Sequence, residues 1–152
     1  MSLEATLTVP SITTPAPKAP AKASARHLRT AARVLLGLAF FVFGLNGFYN
    51  FIPPPSAPPP EAAMAFAGAL IKTGYMFPLI KGTEVVAGAL LLSNRFVPLS
   101  LTFLAPVVVN IVAFHAFLAP SGLVTPLVIV ALGLALAWSH RDAFRPLLRA
   151  RG

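Results

Sequence analysis

No cysteine occurs anywhere in the chain, so a disulfide relay, a thiolate nucleophile and an iron–sulfur cluster held by this chain alone are all excluded. Acidic side chains are nearly as scarce, with four Asp and Glu against 12 Lys and Arg in 152 residues. Only 11% of the residues are charged, against about 25% in soluble domains. Glycine-rich phosphate loops, zinc-spaced histidine clusters and Ser/His/Asp sets are missing too. Any redox role must therefore use a bound small molecule or a partner subunit.

What fills the chain instead is apolar: 57% of residues are hydrophobic, and the mean hydropathy is +0.79. Charge vanishes between Arg33 and Glu61, and between Arg95 and His140 the only titratable side chain is His115. A membrane-crossing helix needs about 20 apolar residues at a rise of about 1.5 Å each. The first gap holds one such span, ending before Pro53, and the second holds two, joined by a tight turn at Pro120-Ser-Gly122. With the tract from Tyr75, the sequence predicts four spans at Thr30–Ile52, Tyr75–Ser93, Phe96–Leu118 and Leu123–Ser139. The expected fold is all-α, an integral membrane, antiparallel four-helix transmembrane bundle with short hairpins at Asn94-Arg95 and Pro120-Ser-Gly122. A transmembrane barrel is excluded because the apolar runs are continuous rather than alternating.

Four spans place Lys18, Lys22, Arg26, Arg29 and Arg33, the Arg95 turn, and Arg141, Arg145, Arg149 and Arg151 on one side. Lys72 alone faces the other. The excess of basic loops on the inner side then sets both termini in the cytoplasm, in a bacterial-type inner (plasma) membrane. The net charge of +8 belongs to span flanks that meet anionic headgroups, so the partner it implies is the lipid bilayer and not nucleic acid. Residues 1–28, with Pro10, Pro15, Pro17 and Pro20, read as a disordered cytoplasmic tail ahead of a membrane domain over 29–148. The first span continues into bulky Phe48-Tyr49, which favours an uncleaved anchor over a cleaved signal. A mitochondrial presequence fits the acid-poor tail but not its four prolines.

In the outer connection, Pro53-Pro-Pro-Ser-Ala-Pro-Pro-Pro60 reads as polyproline and Glu61 to Lys72 as a helix with Met64, Ala67, Leu70 and Ile71 on one face. The sequence leaves open whether this helix lies in the interface, caps the bundle, or continues the second span through a kink at Gly74 and Pro78. Phe48, Tyr49, Phe51, Tyr75, Phe77 and Phe117 read as an interfacial aromatic belt or as the wall of an aromatic ligand site.

Polar groups inside the spans are the functional candidates. A buried charge costs roughly 3 kcal/mol on insertion scales, so an acid in a span persists where it is paired or has a task. Glu84 is the only acid in the tract from Tyr75 to Ser139, and Lys81 lies one turn before it. Asn46 and Asn50 share a helix face about 20 and 26 Å above Arg33, and Asn110 and His115 lie about 20 and 28 Å above Phe96. All of these fall in the outer half. His115 is about 140° round the helix from Asn110, so one of the two can face away. The asparagines have a plain alternative as interhelical hydrogen-bonding groups, and Lys81–Glu84 as a structural ion pair. Gly37, Gly44, Gly47 and Gly88 read as close-packing positions. Haem held by two histidines would need a second His at the depth of His115, but His27 and His140 lie at the other end.

The run Pro78-Leu-Ile-Lys-Gly-Thr-Glu-Val-Val-Ala-Gly-Ala-Leu-Leu-Leu92, then Asn94-Arg-Phe-Val-Pro98, then Leu104-Ala-Pro-Val-Val-Val-Asn-Ile-Val-Ala-Phe-His115, resembles the DoxX family of four-helix membrane proteins over about residues 30–148. Glu84, Gly88, Asn110, Phe114 and His115 fall on the family's positions, as does the stretch Gly44–Phe48. Many members carry a lysine after that glycine, where this chain has Asn46 and Asn50. The resemblance implies an auxiliary subunit of a quinone-linked redox complex, with partner redox subunits or further copies of the chain. In that reading an outer-leaflet pocket binds a quinone, the one cofactor implied. Glu84 and Lys81 form the catalytic pair, with Glu84 as acid/base and Lys81 setting its proton affinity. Asn110 and His115 hold the carbonyls, and Asn46 and Asn50 add ligand contacts. Two other classes compete. A small proton or solute transporter would use Glu84 as a cation site, although the inner half of the spans offers little beyond Ser100 and Thr102. An assembly or scaffold protein would carry an outward-facing polar or small-residue stripe for a partner helix.

Overall fold

The computed structural model describes residues 21–55 and 57–148. Every regular element among them is helical: α1 (Ala21–Tyr49), α2 (Glu61–Lys72), α3 (Met76–Leu92), α4 (Val97–Phe117), α5 (Val124–Ser139) and the short α6 (Arg141–Phe144), with 3-10 turns at Pro120–Gly122 and Arg145–Leu148. Of the tail expected over residues 1–28, the first twenty lie outside the described residues. The remainder, from Ala21, is the start of α1. Proline-free Ala21-Lys-Ala-Ser-Ala-Arg favours helix once Pro20 is passed.

Helix ends follow local chemistry. Asn50, at φ 49°, ends α1 in the left-handed conformation, with its N–H on the Asn46 carbonyl at 2.8 Å. Asn94, at φ 56°, closes α3 in a Schellman turn, where Arg95 N–H reaches Leu90 O and Asn94 N–H reaches Leu91 O, each at 3.1 Å. Gly74, at φ +75°, ends α2 and turns the chain into α3. That turn is sharp: α2 and α3 are bent by 92°. The open choice for Glu61–Lys72 therefore falls on a separate helix lying across the end of α3, with Ala63 buried and Phe66 packed on Phe114 of α4 at 5.8 Å between ring centroids. Its inward face is Ala63, Phe66, Ala67 and Leu70, rotated from the expected one, since Met64 and Ile71 are exposed.

α1 packs against α3 most extensively, α3 against α4, α4 against α5, and α5 back against α1, so the four long helices close a ring. Neighbours are antiparallel. At one end of the α1–α3 seam Gly37 meets Leu91 and Leu92, and at the other Gly47 meets Lys81. The core between them is Leu36 and Phe40, Ala87 and Leu91, Val97 and Leu104, and Leu136. Phe43, Val86, Phe103, Val109, Leu134 and other large apolar side chains stand outside. Helices apolar on both inner and outer faces are matched to an apolar surrounding rather than to water.

By length and composition, α1 from Ala25 and the whole of α4 are each able to cross a membrane, and the bent α2–α3 pair makes a third candidate if counted as one span. α5 has only 16 residues. The expected spans at Tyr75–Ser93 and Leu123–Ser139 are thus shorter helices than α1 and α4, trimmed by the Gly74 turn and the Pro120–Gly122 turn.

Candidate functional site

The densest helix contact in the molecule is also where its buried acid sits. Gly88 lies against the α1 backbone so closely that a Cβ there would stand 2.5 Å from Phe41 N and 2.9 Å from Gly37 O. A Cβ at Gly44 would stand 2.8 Å from Val85 Cγ2 and 3.0 Å from Glu84 Cβ. These glycines are close-packing positions, as small residues between membrane helices are. Drawing α1 onto α3 in this way buries Glu84, whose side chain is 4% exposed, while that of Lys81 is 21% exposed.

Lys81 reaches Glu84 within its own helix. Nζ donates to Glu84 Oε2 at 2.9 Å, an i to i+3 contact on adjacent turns. The lysine stem lies along Gly47, where a Cβ would stand 2.5 Å from both Cγ and Cδ, and Nζ sits 5.9 Å from the Phe77 ring centroid. Gly47 is therefore the residue that leaves room for the lysine to fold back onto the acid. The ion pair expected from the sequence is present, with the acid as the buried member and the lysine as the one facing outwards.

His115 arrives from α4. Its Nδ1–H donates to Ile111 O at 2.8 Å, leaving Nε2 uncommitted. The ring lies against Gly122, where a Cβ would come within 2.7 Å of Cδ2, and it makes an edge-on contact with Phe114 at 5.2 Å between ring centroids. Lys81, Glu84 and His115 line one cavity of about 330 Å³, walled by Phe40 and Phe43 of α1, Ile111 of α4, and Gly122, Thr125 and Ile129 leading into α5. A second cavity of about 270 Å³ lies among α1, α4 and α5, lined by apolar side chains, and shares Phe40 and Ile129 with the first.

No family model, curated protein or solved structure matches the chain. Kinship with the DoxX family is accordingly a proposal, carried by the residues quoted from α3 and α4.

Three of the expected site residues are left outside this cavity. Asn46 Oδ1 accepts the Ile52 N–H at 2.7 Å, and Asn50 holds the left-handed end of α1, so both asparagines serve the helix terminus. The structure thus gives both a helix-ending role and places neither on this cavity. The signal for it was in the sequence: an asparagine three residues before Pro53 marks a helix stop. Asn110 is exposed on the outer surface of α4, and the step round the helix that brings His115 inward turns Asn110 away. Thr125 and Gly122 were missed. Thr125, in the first turn of α5, also lines the cavity, on the far side of the Pro120–Gly122 turn from His115. Of the aromatic set, Phe48, Tyr49, Phe51, Tyr75 and Phe117 are all exposed. They do not wall this cavity, and their outward placement is that of a belt.

Chemically, the cavity offers a buried carboxylate with its ammonium partner on one wall. The His115 imidazole and Thr125 line the other, and most of the remaining lining is apolar. This arrangement accepts or delivers a proton at one side of a small polar group and hydrogen-bonds it at the other.

Proposed function

We propose that the chain is a DoxX-like four-span protein of a bacterial-type plasma membrane, an auxiliary subunit of a quinone-linked redox complex. The observation that carries the reading is the convergence of Glu84 and Lys81 from α3 with His115 from α4 on one cavity. An apolar cavity shares a wall with it. A quinone has the matching shape, a polar head with an apolar tail. Glu84 exchanges the head-group proton with Lys81 paired beside it, and His115 with Thr125 orients the carbonyl or hydroxyl on the far side.

All four long helices cross together in this reading, because α3 and α5 pack alongside α1 and α4. Their shorter lengths are accommodated by local thinning and by flanking residues. α2 then lies along the outer interface, and both termini are cytoplasmic by the distribution of Lys and Arg.

One observation favours a second contribution, assembly. Asn110 presents an amide on the outer surface of α4 among Phe103, Val109 and Phe117, where lipid offers it no partner. A helix of a redox partner subunit supplies one.

The test is Glu84→Gln in the full-length protein, extracted mildly with its lipids and partners. The amide preserves shape but exchanges no proton near neutrality, so insertion and complex formation persist while quinone retention or electron transfer is lost. Normal quinone content and turnover in that variant would leave the assembly reading alone and reduce Lys81–Glu84 to a structural pair.

A further inference from the structure

A second polar pocket lies at the opposite end of the ring from Glu84. The N-terminal turns of α1, the α3–α4 turn and the end of α5 enclose about 390 Å³ lined by Arg26, Arg29, Arg33, Asn94 and His140, with Leu136 as its buried floor. Arg26, Arg29 and Arg33 follow at i, i+3 and i+7, so one face of α1 carries all three guanidiniums, where like charges on adjacent turns repel. Among the described residues nothing acidic offsets them there. Among the described residues the ion pairs are Lys81–Glu84 and Arg145–Asp142, and the nearest acid in sequence to the pocket, Asp142, is held by Arg145 at 3.1 Å.

Part of each basic group is already committed, and that commitment fixes its position. Arg33 Nη1 donates to Leu91 O, and to Leu92 O at 3.0 Å, so its guanidinium is anchored on the end of α3. Arg29 Nε donates to Ala25 O at 3.3 Å. His140 Nδ1 lies 2.9 Å from Ser139 Oγ and 3.0 Å from Leu136 O, which leaves Nε2 as the uncommitted ring nitrogen. The remaining guanidinium N–H groups of α1 and the Asn94 amide of the α3–α4 turn make a donor set, with no carboxylate among the lining residues. Guanidinium forks of this kind match the oxygens of a phosphate, which accept bidentate hydrogen bonds.

We propose that this pocket binds a phosphate group, carried by the headgroup of an anionic phospholipid or by free inorganic phosphate. Its place at the ends of α1 and α5, where apolar helix gives way to charge, puts it at headgroup level for helices that cross a bilayer. The assignment is independent of the quinone reading, since it shares no residue with the Glu84 cavity.

Trp138, the only tryptophan, is exposed two residues before His140 and reports on lipid at this end. Full-length protein is reconstituted in phosphatidylcholine bilayers containing either brominated phosphatidylglycerol or brominated phosphatidylcholine, and Trp138 quenching gives the relative affinity for the two. Phosphatidylglycerol is preferred in the wild type, and Arg26→Gln/Arg29→Gln lowers that preference by roughly tenfold. Arg95→Gln removes a charge outside the pocket and changes the preference by no more than about twofold, because exposed charges are screened. Inorganic phosphate, titrated at constant ionic strength and followed by calorimetry, separates the sources. Release of phosphatidylglycerol by phosphate, or phosphate binding with no lipid preference, identifies the free ion, and lipid preference undisturbed by phosphate identifies the headgroup. The single change Arg29→Gln gives the same direction with less perturbation of α1, and circular dichroism checks that helix content is retained. Equal loss in Arg95→Gln and Arg29→Gln, or a wild type with neither lipid preference nor phosphate binding, overturns the proposal.

Discussion

Arg33 on α1 donates through Nη1 to the carbonyl of Leu92 at 3.0 Å, 59 residues away in sequence, and to that of Leu91 beside it. These are carbonyls of the last turn of α3, at the negative end of the helix dipole; that of Leu91 also accepts the Asn94 N–H, and Arg33 adds a cation to both. A span-flanking arginine, read from sequence as a marker of orientation, is thus also the cap of a neighbouring helix. Arg33→Met keeps the apolar stem and removes both bonds. It lowers stability by about 1 to 3 kcal/mol in steric-trapping or thermal unfolding measurements, and Arg33→Lys recovers part of the loss. An unchanged unfolding midpoint in Arg33→Met would show that water or lipid headgroups cap α3 equally well.

Lys81 and Glu84 are coupled. Lys81→Met leaves the acid buried without its cation, so it harms stability more than the double change Lys81→Met/Glu84→Gln, with a coupling on the order of 1 to 3 kcal/mol in a double-mutant cycle. Additive effects would mean the 2.9 Å contact carries no energy.

The glycines of the α1–α3 seam divide by what they touch. Gly88→Ala drives a Cβ into the α1 backbone at Phe41 and costs about 1 to 3 kcal/mol, because two helices must separate. Gly82→Ala on the same helix meets nothing within 4 Å and is neutral or stabilising by up to about 1 kcal/mol. Equal effects at the two positions would contradict the close approach. Gly47→Ala falls between them. It meets only the flexible Lys81 side chain, so it moves the lysine off Glu84 and mimics Lys81→Met in the coupling measurement with little change in helix packing.

Reporter fusions placed after Gly152 and within the connection from Pro53 to Lys72 report opposite compartments, with the C-terminal reporter cytoplasmic. A shared compartment for both would end the four-span arrangement and return the count to the two or three spans that helix length alone supports.

Where the helices lie was legible in the sequence, and so was the Lys81–Glu84 contact, because both are local. Runs of apolar residues stop at Asn50 before Pro53, at Asn94 and at Pro120, and a lysine three residues before an acid in a helix lies within reach of it whatever surrounds them. What the tertiary structure decided is how each helix is rotated and what it meets. α4 is apolar on every side, so no stripe in its sequence tells which of Asn110 and His115 faces inward; its packing against α3 and α5 turns His115 into the cavity and Asn110 out of it. The Phe66–Phe114 contact, the Arg33 cap and the cavity that Glu84 shares with His115 likewise join residues far apart in the chain. Contacts of that range depend on the arrangement of whole helices, which the spacing of residues along any one of them does not encode.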